Sequence, residues 1–453
     1  MKAFQANVRG LRLPFKNRIP TAVTAFAFLL VLVALAGCNQ LNLSQLGLPA
    51  SSTQTPTVSN LVTHSVPATT AATPTAEPAG PQTLTLWVPP QFDPNGGAPG
   101  GALLNERLAQ FESENPGVEI SVRVKAQTGP GGLLDTLTSA SAAAPAAVPA
   151  LIALPRADLE SAALKGLIYP LDELSTAIDQ NDWFPFAQQL ALVQGATFGL
   201  PFVGDAQVLL YRPARVPTPP TTWEQILQRG EPLAFAASDP QALVTLNLYA
   251  GSGGTVEDVQ GRPTLDAQVL GQVLQMYENG AQGGTFPAWL AQYQTDGQAW
   301  QAYIEERTPW VVNWASRYLA ELPPDTNIAP LPSLSAEPFT LATGWLWALS
   351  EADPERQKLA VRLAEFLTDG EFLAQWSEQN GHLPTRPSAL SGWQNQSLRT
   401  LLNDVVLAAE VRPRNELVGS IGPAMQAATI QILQNEGDAA QVAQAAAEKL
   451  GAP

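Results

Sequence analysis

The chain has 453 residues, 45% of them hydrophobic, and carries 24 Lys+Arg against 40 Asp+Glu for a formal net charge of −16. So acidic a balance repels phosphate backbones and anionic headgroups, which excludes nucleic acid and charge-held membrane binding as functions. One cysteine excludes an intramolecular disulfide, and two histidines exclude a histidine-rich metal site.

The first eighteen residues are basic through Lys2, Arg9, Arg12, Lys16 and Arg18, with no acid among them. Thr21 to Ala36 follows as sixteen mostly apolar residues, short of the ~20 that span a bilayer but suited to the centre of a signal peptide. Leu35-Ala36-Gly37-Cys38 closes the run and resembles the bacterial lipobox. That resemblance implies a thioether lipid on Cys38 and cleavage just before it, with 1–37 removed. The remaining chain then has 19 Lys+Arg against 40 Asp+Glu, or −21. Residues 38–82 are rich in Ser, Thr, Pro, Ala and Gln, and past Cys38 hold one charged side chain, Glu77. Such a stretch buries too little apolar surface to offset ordering and reads as a disordered tether spanning on the order of 35 Å. About 370 residues lie beyond it, more than one hydrophobic core usually serves, so two lobes are expected.

"LTLWVPP" predicts a strand stopped by two prolines. In "GALLNERLAQFESENPG", Leu104, Leu108 and Phe111 keep helical spacing up to Asn115-Pro116-Gly117. "VEISVRV" alternates as a strand with one wet face, a helix is expected near Leu133 to Leu137, and "ALIAL" is an apolar strand. Strand–helix–strand with crossover-length links predicts an α/β fold on a parallel sheet. Further along, Thr221 and Glu224 have the spacing of a capping box. Asp353-Pro354 opens a helix carrying Leu359, Leu363 and Phe366 on one side, with Gly370 as its stop.

The ordered series "FESENPGVEISVRV", "LIALPRADLESAALKGLIYPLDEL", "TFGLPFVGDAQVLLYRP", "PTTWEQIL", "TPWVVNW", "TGWLWALS" and "GHLPTRPSAL" resembles the family 1 extracellular solute-binding proteins. These are substrate-capturing lipoproteins of ABC importers. The resemblance implies two discontinuous α/β lobes, 83–201 with 339–387 and 202–338 with 388–453, joined by hinge strands. Crossings are expected near Pro201-Phe202, Phe339 and Pro387. A ligand held in the cleft closes the lobes, and the closed form meets a membrane permease.

Sugar sites pair aromatic faces with carboxylates and amides, since a sugar ring has apolar C–H patches and a rim of hydroxyls. Trp314 matches the place of a stacking tryptophan in sugar-binding relatives, with Asn313 beside it as a hydroxyl donor. Trp345 is expected to face the cleft from the first lobe, and Asp205 follows the hinge segment "GLPF". Phe92 and Asp93 lie after the first strand, at the carboxyl end where open α/β sheets bind ligands. Trp223 is assigned to packing, and "TGPGGLLD" to a strand-to-helix turn, since it lacks the Gly-Lys-Ser/Thr of a nucleotide loop. No Gly-x-Ser-x-Gly elbow occurs, although a glycosidase needs only two carboxylates.

The expected protein is therefore a monomeric, lipid-anchored solute-binding protein on the outer side of the membrane. It needs no cofactor, takes a mono- or oligosaccharide and delivers it to the transmembrane subunits of an ABC importer. The same fold also suits a polyamine or other small solute, or a sensor in place of the permease.

Overall fold

In the computed structural model, which describes residues 82–451 apart from 336, the first strand is β1 (Gln82–Val88), ending at Pro89-Pro90. Neither proline offers a backbone N–H, so the ladder cannot continue. The expected signal peptide, Cys38 and nearly all of the expected tether fall outside the described residues, while Gln82 already pairs with Val118. Helix α1 (Gly101–Glu114) buries Leu104, Leu108 and Phe111, and the chain turns out of it through Gly117 at φ +91°. β2 (Val118–Val124) runs parallel to β1 at the edge of the sheet, with Glu119 and Arg123 exposed and Ile120 and Val122 half-buried. Gly129 and Gly131 take positive φ in the turn to α2 (Leu133–Ala143). β3 (Leu151–Pro155) is again parallel to β1 and leads into α3 (Arg156–Leu164). Then come α4 (Pro185–Ala191) and the small hairpin of β4 (Leu192–Val193) and β5 (Ala196–Thr197).

β6 (Leu200–Tyr211) is twelve residues long and nearly all buried. After it comes α5 (Trp223–Arg229), capped by Thr222 and not by Thr221: the Thr222 hydroxyl accepts from Gln225 N, while Thr221 N donates to the Gln225 side chain. The cap thus sits one residue later than the Thr–Glu spacing suggested. β7 (Leu233–Ala234), α6 (Leu243–Gly251), α7 (Ala267–Gly283) and α8 (Asp296–Ile304) follow. Next are β8 (Trp310–Trp314), α9 (Ala315–Glu321), β9 (Asn327–Pro330) and β10 (Thr340–Leu349).

Asp353 caps α10 (Pro354–Leu367) as expected. Gly370 does not stop it. The helix ends at Leu367 with Thr368 as its C-cap, and Gly370 opens α11 (Gly370–Gln379), whose first amides are capped by Asp369. A strong N-cap one residue before the glycine outweighs its reading as a terminator. The chain closes with β11 (Leu383–Pro384), α12 (Pro387–Gly392), α13 (Gln396–Leu407), β12 (Ala409–Val411), α14 (Asn415–Leu433) and α15 (Ala439–Gly451).

The main sheet runs β2-β1-β3-β10-β6-β8-β7, with β11 and β9 on β6 and β12 on β10. It is mixed, not all parallel: β10 is antiparallel to both β3 and β6. β6 pairs with β10 and β11 up to Ala206, then with β8 and β9 from Gln207 onward. β10 likewise pairs with β3 through Trp345–Leu349 and with β12 through Thr340–Ala342. Each of these strands therefore belongs to two halves of the molecule. β10 returns from the far half beside β6, the strand that left for it, and so runs against β6; it runs against β3 as well.

Side-chain alternation covers the first half on both faces. Leu84, Leu86, Val88, Leu151, Ala153 and Trp347 pack under α1, α10 and α11, while Trp87, Ile152, Leu154 and Leu346 pack against α2, α3 and α4. In the second half β8 is buried on both faces, and α7, α14 and α15 pack together. Trp223 is 3% exposed and donates from Nε1 to Pro332 O, a packing role as the sequence reading held.

Candidate functional site

Where β6 passes from one half to the other, Gly204 lies flush with the Phe186 ring, since a Cβ there would stand 2.7 Å from it. The next residue, Asp205, is half-buried and turned toward the first turn of α9. Its Oδ1 accepts from Ser316 N at 3.0 Å and Ala206 N at 2.9 Å, and its Oδ2 accepts from Ser316 Oγ at 2.5 Å.

Trp314 ends β8 beside the first turn of α8, where a Thr295–Gln298 capping box places Asp296 as the first helical residue. Trp314 Nε1 donates to Asp296 Oδ2 at 2.9 Å, and Asn313 Nδ2 donates to Asp296 O at 2.9 Å. Asn313 Oδ1 accepts from Trp314 N, so this amide is consumed in holding the tryptophan. The half-buried Trp314 ring is thereby fixed before any ligand arrives.

Asp205, Asp296, Asn313, Trp314, Ser316 and Arg317 line a pocket of about 360 Å³, which Gln91 and His382 of the first half complete. A hollow of about 450 Å³ around Asp182, Glu365 and Arg386 is larger, but its walls come from the first half and the segment just after it. The pocket at Trp314 lies between the halves.

Burial is the main cause of every shift in this pocket. It pushes Asp205 up to about 6, against the hydrogen bonds from Ser316 and Ala206, with the Asp296 charge adding to the rise. Burial and the Asp239 charge raise Asp296, while the Trp314 hydrogen bond and Arg317 pull it down. His382 is pushed down to about 4 and is neutral at pH 7. Its Nδ1 lies 2.8 Å from Asn380 O; a carbonyl can only accept, so Nδ1 carries the proton and Nε2 is an acceptor.

Of the residues singled out in the sequence, Trp314, Asn313 and Asp205 come together here. Phe92 does not offer a face to the pocket. The 3-10 turn Pro90–Phe92 brings its ring inward, where it is 1% exposed and packs edge-on against Phe202, Trp376 and His382. Asp93 turns back to accept from Asn95 N in its own loop. Trp345 is half-buried with its ring 5.1 Å from Phe92, while Trp347, two positions on, is fully buried. Asp296, Ser316, Gln91 and His382 were not picked out from sequence. The signal for Asp296 was available as Thr295-Asp296-Gly297-Gln298, a helix start that brings an acid toward the end of β8.

An α/β molecule in two halves, crossed by shared strands and holding a polar pocket between them, has the two-lobe architecture of a periplasmic binding protein. The sequence profile of the bacterial extracellular solute-binding proteins matches residues 106–399, and the chain belongs to that family. No curated protein matches it. Among solved structures, maltose-bound MalE3 of T. maritima aligns at 17% identity and TM-score 0.64, over 82% of this chain and 99% of that one. The sugar-binding protein MalE of Xanthomonas citri aligns at 18% identity and TM-score 0.68, over 82% and 96%. The cyclic α-maltosyl-1,6-maltose binding protein of Arthrobacter globiformis aligns at 15% identity and TM-score 0.68, over 82% and 98%. Likeness at such identities establishes the fold.

Proposed function

We propose that this protein captures a mono- or oligosaccharide between its lobes and presents it to the membrane subunits of an ABC importer. The observation that carries the reading is the Trp314 ring, locked by Asp296 inside an interlobe pocket of about 360 Å³. That volume falls within the roughly 300–1,000 Å³ usual for small-molecule sites. Around the ring, Gln91, Arg317 and the His382 Nε2 acceptor supply the mixed donors and acceptors that a rim of hydroxyls requires. The structures this fold resembles include maltose- and cyclic-maltosyl-maltose-binding proteins, which supports a sugar as the first ligand to try. Both oxygens of Asp205 are engaged by Ser316 and Ala206, so this carboxylate is poorly placed to attack a glycosidic bond.

Titration calorimetry with maltose, maltotetraose, monosaccharides and spermidine tests the proposal. Saturable binding of a sugar that is recovered intact is the expected result, and binding of spermidine alone would overturn it. Trp314→Ala should weaken that sugar by about 2 kcal/mol or more, as for a buried aromatic hot spot. Unchanged affinity in the folded variant would return Trp314 to the scaffold.

Attachment to the membrane through lipid on Cys38 belongs to the same proposal. Cys38→Ala should shift the protein from the membrane fraction to the soluble one, and mass spectrometry of the wild type should find diacylglycerol on its first residue. One acyl chain holds only marginally, whereas two or three make release slow.

A further inference from the structure

Gly381 connects α11 to β11 with φ +67°, a conformation open to glycine at little cost. Its second constraint comes from the other half. A Cβ at this position would stand 2.6 Å from Ala320 N, 2.7 Å from Ala320 Cα and 2.8 Å from the carbonyl carbon of Leu319. These are backbone atoms of α9, and no side-chain rotation can move them away. Gly117, Gly129, Gly131, Gly166 and Gly195 also have positive φ, but a Cβ at any of them meets nothing within 4 Å. Gly230 and Gly437 combine positive φ with a neighbour, at 3.0 Å to Gly283 O and 2.9 Å to the Val442 side chain, but among the described positive-φ glycines only Gly381 would press a Cβ closer than 2.9 Å to backbone atoms.

Both sides of this contact are anchored. On one side Asn380 Oδ1 accepts from Gly100 N, His382 N donates to Ser377 O, and Leu383–Pro384 pairs with Gly204 and Val203 of β6. On the other, Asp205 grips Ser316 in the first turn of α9, and Leu322 N closes its last turn on Tyr318 O. Ala320 and His382 both line the pocket, which puts the contact at the pocket's margin.

We propose that Gly381 is the stop on which the two lobes rest when the cleft is narrow, so that the length of its absent side chain sets how far the cleft can shut. This rests on the solute-binding reading given above. A methyl group needs about 3.5 Å from a neighbouring carbon, so any side chain here parts the lobes by roughly 1 Å at the seam. The seam lies beside the crossing strand, since β6 pairs with β11 at Gly204 and with Trp314 of β8 at Gln207. A small wedge near the pivot opens the outer rim by more than its own width.

The variant to make is Gly381→Asn, because asparagine tolerates positive φ yet carries a Cβ. Gly117→Asn is its control, also at positive φ (+91°) but free of contact. Spin labels at Glu119→Cys and Val259→Cys, exposed positions on the two lobes, report their separation in a Cys38→Ala background. We expect Gly381→Asn to lengthen that distance without ligand and to weaken sugar binding at least tenfold, with Gly117→Asn doing neither. Ala320→Phe, which adds bulk to the same seam from an exposed helix position, should lengthen the distance too and serves if Gly381→Asn does not fold. Distances that match the Gly117→Asn control in whichever of these variants folds would overturn the stop. A wild type that binds no sugar would sink the solute reading and leave the label distances to decide this one.

Discussion

Trp376→Ala should destabilise the protein by about 3–5 kcal/mol, the range for truncating a large aromatic in a packed core. The side chain is fully buried, its ring centroid 4.4 Å from Phe202 and 5.2 Å from Phe92. Phe92 in turn packs on Trp345 and His382, so the cavity would open directly beneath one wall of the pocket. A lower urea midpoint with unchanged slope is the expected signature, together with weakened ligand binding. Trp376→Phe should recover much of the loss by keeping most of the volume. A cost under 1 kcal/mol for the alanine variant would mean that this cluster is not packed as described.

Asp205 and His382 should give the protein two opposed acid responses that nearly cancel. The Asp205 carboxyl, ordinarily near 3.8, holds its proton up to about 6 in the fold. The folded state therefore binds more protons than the unfolded one between roughly pH 4 and 6, and this group's contribution falls as pH rises through that window. Asp296, also raised, acts in the same direction. His382 runs the other way: lowered from 6.5 to about 4, it contributes stability above 6.5 that is lost as pH falls toward 4. The Asp205 and His382 shifts each correspond to on the order of 3 kcal/mol across their windows.

Asp205→Asn should consequently make the protein more acid-sensitive, its melting temperature falling more steeply from pH 6.5 to 4.5. His382→Gln should do the reverse and gain stability relative to the wild type on acidification. Melting curves at pH 4.5, 5.5 and 6.5 decide the matter. Parallel pH profiles for the two variants would show that neither group titrates in this way.

The first half of the fold was legible because its signals are local. Alternation in "LTLWV" and "VEISVRV", helical spacing from Leu104 to Phe111, and the Asp353-Pro354 start all act within a few residues and all form as read. The mixed sheet was not legible, since the β10–β3 and β10–β6 pairings join segments far apart in the chain and no local pattern states their direction. Apolar periodicity in "TGWLWAL" predicts a strand but says nothing about its neighbours.

The site divides on the same physical line. Trp314 follows an apolar strand that ends beside a helix start, and it stands in the pocket. Phe92 was also a candidate, in the loop after β1, but a turn of three residues decides whether a loop aromatic points outward or inward, and the Pro90–Phe92 turn takes this one into the core. His382 was not singled out in the sequence. The burial that keeps it neutral comes from tertiary packing against Phe92 and Trp376.

β6 and β10 each sit inside the main sheet and pair with strands of both halves. Neither lobe is thus a severable module: lifting one out would leave a gap within the sheet of the other and strand a row of unpaired N–H and C=O groups. A change of cargo is open to replacement of loops and pocket side chains, and closed to transplanting a whole lobe from a relative. The strands that join the lobes also bind them into one inheritance.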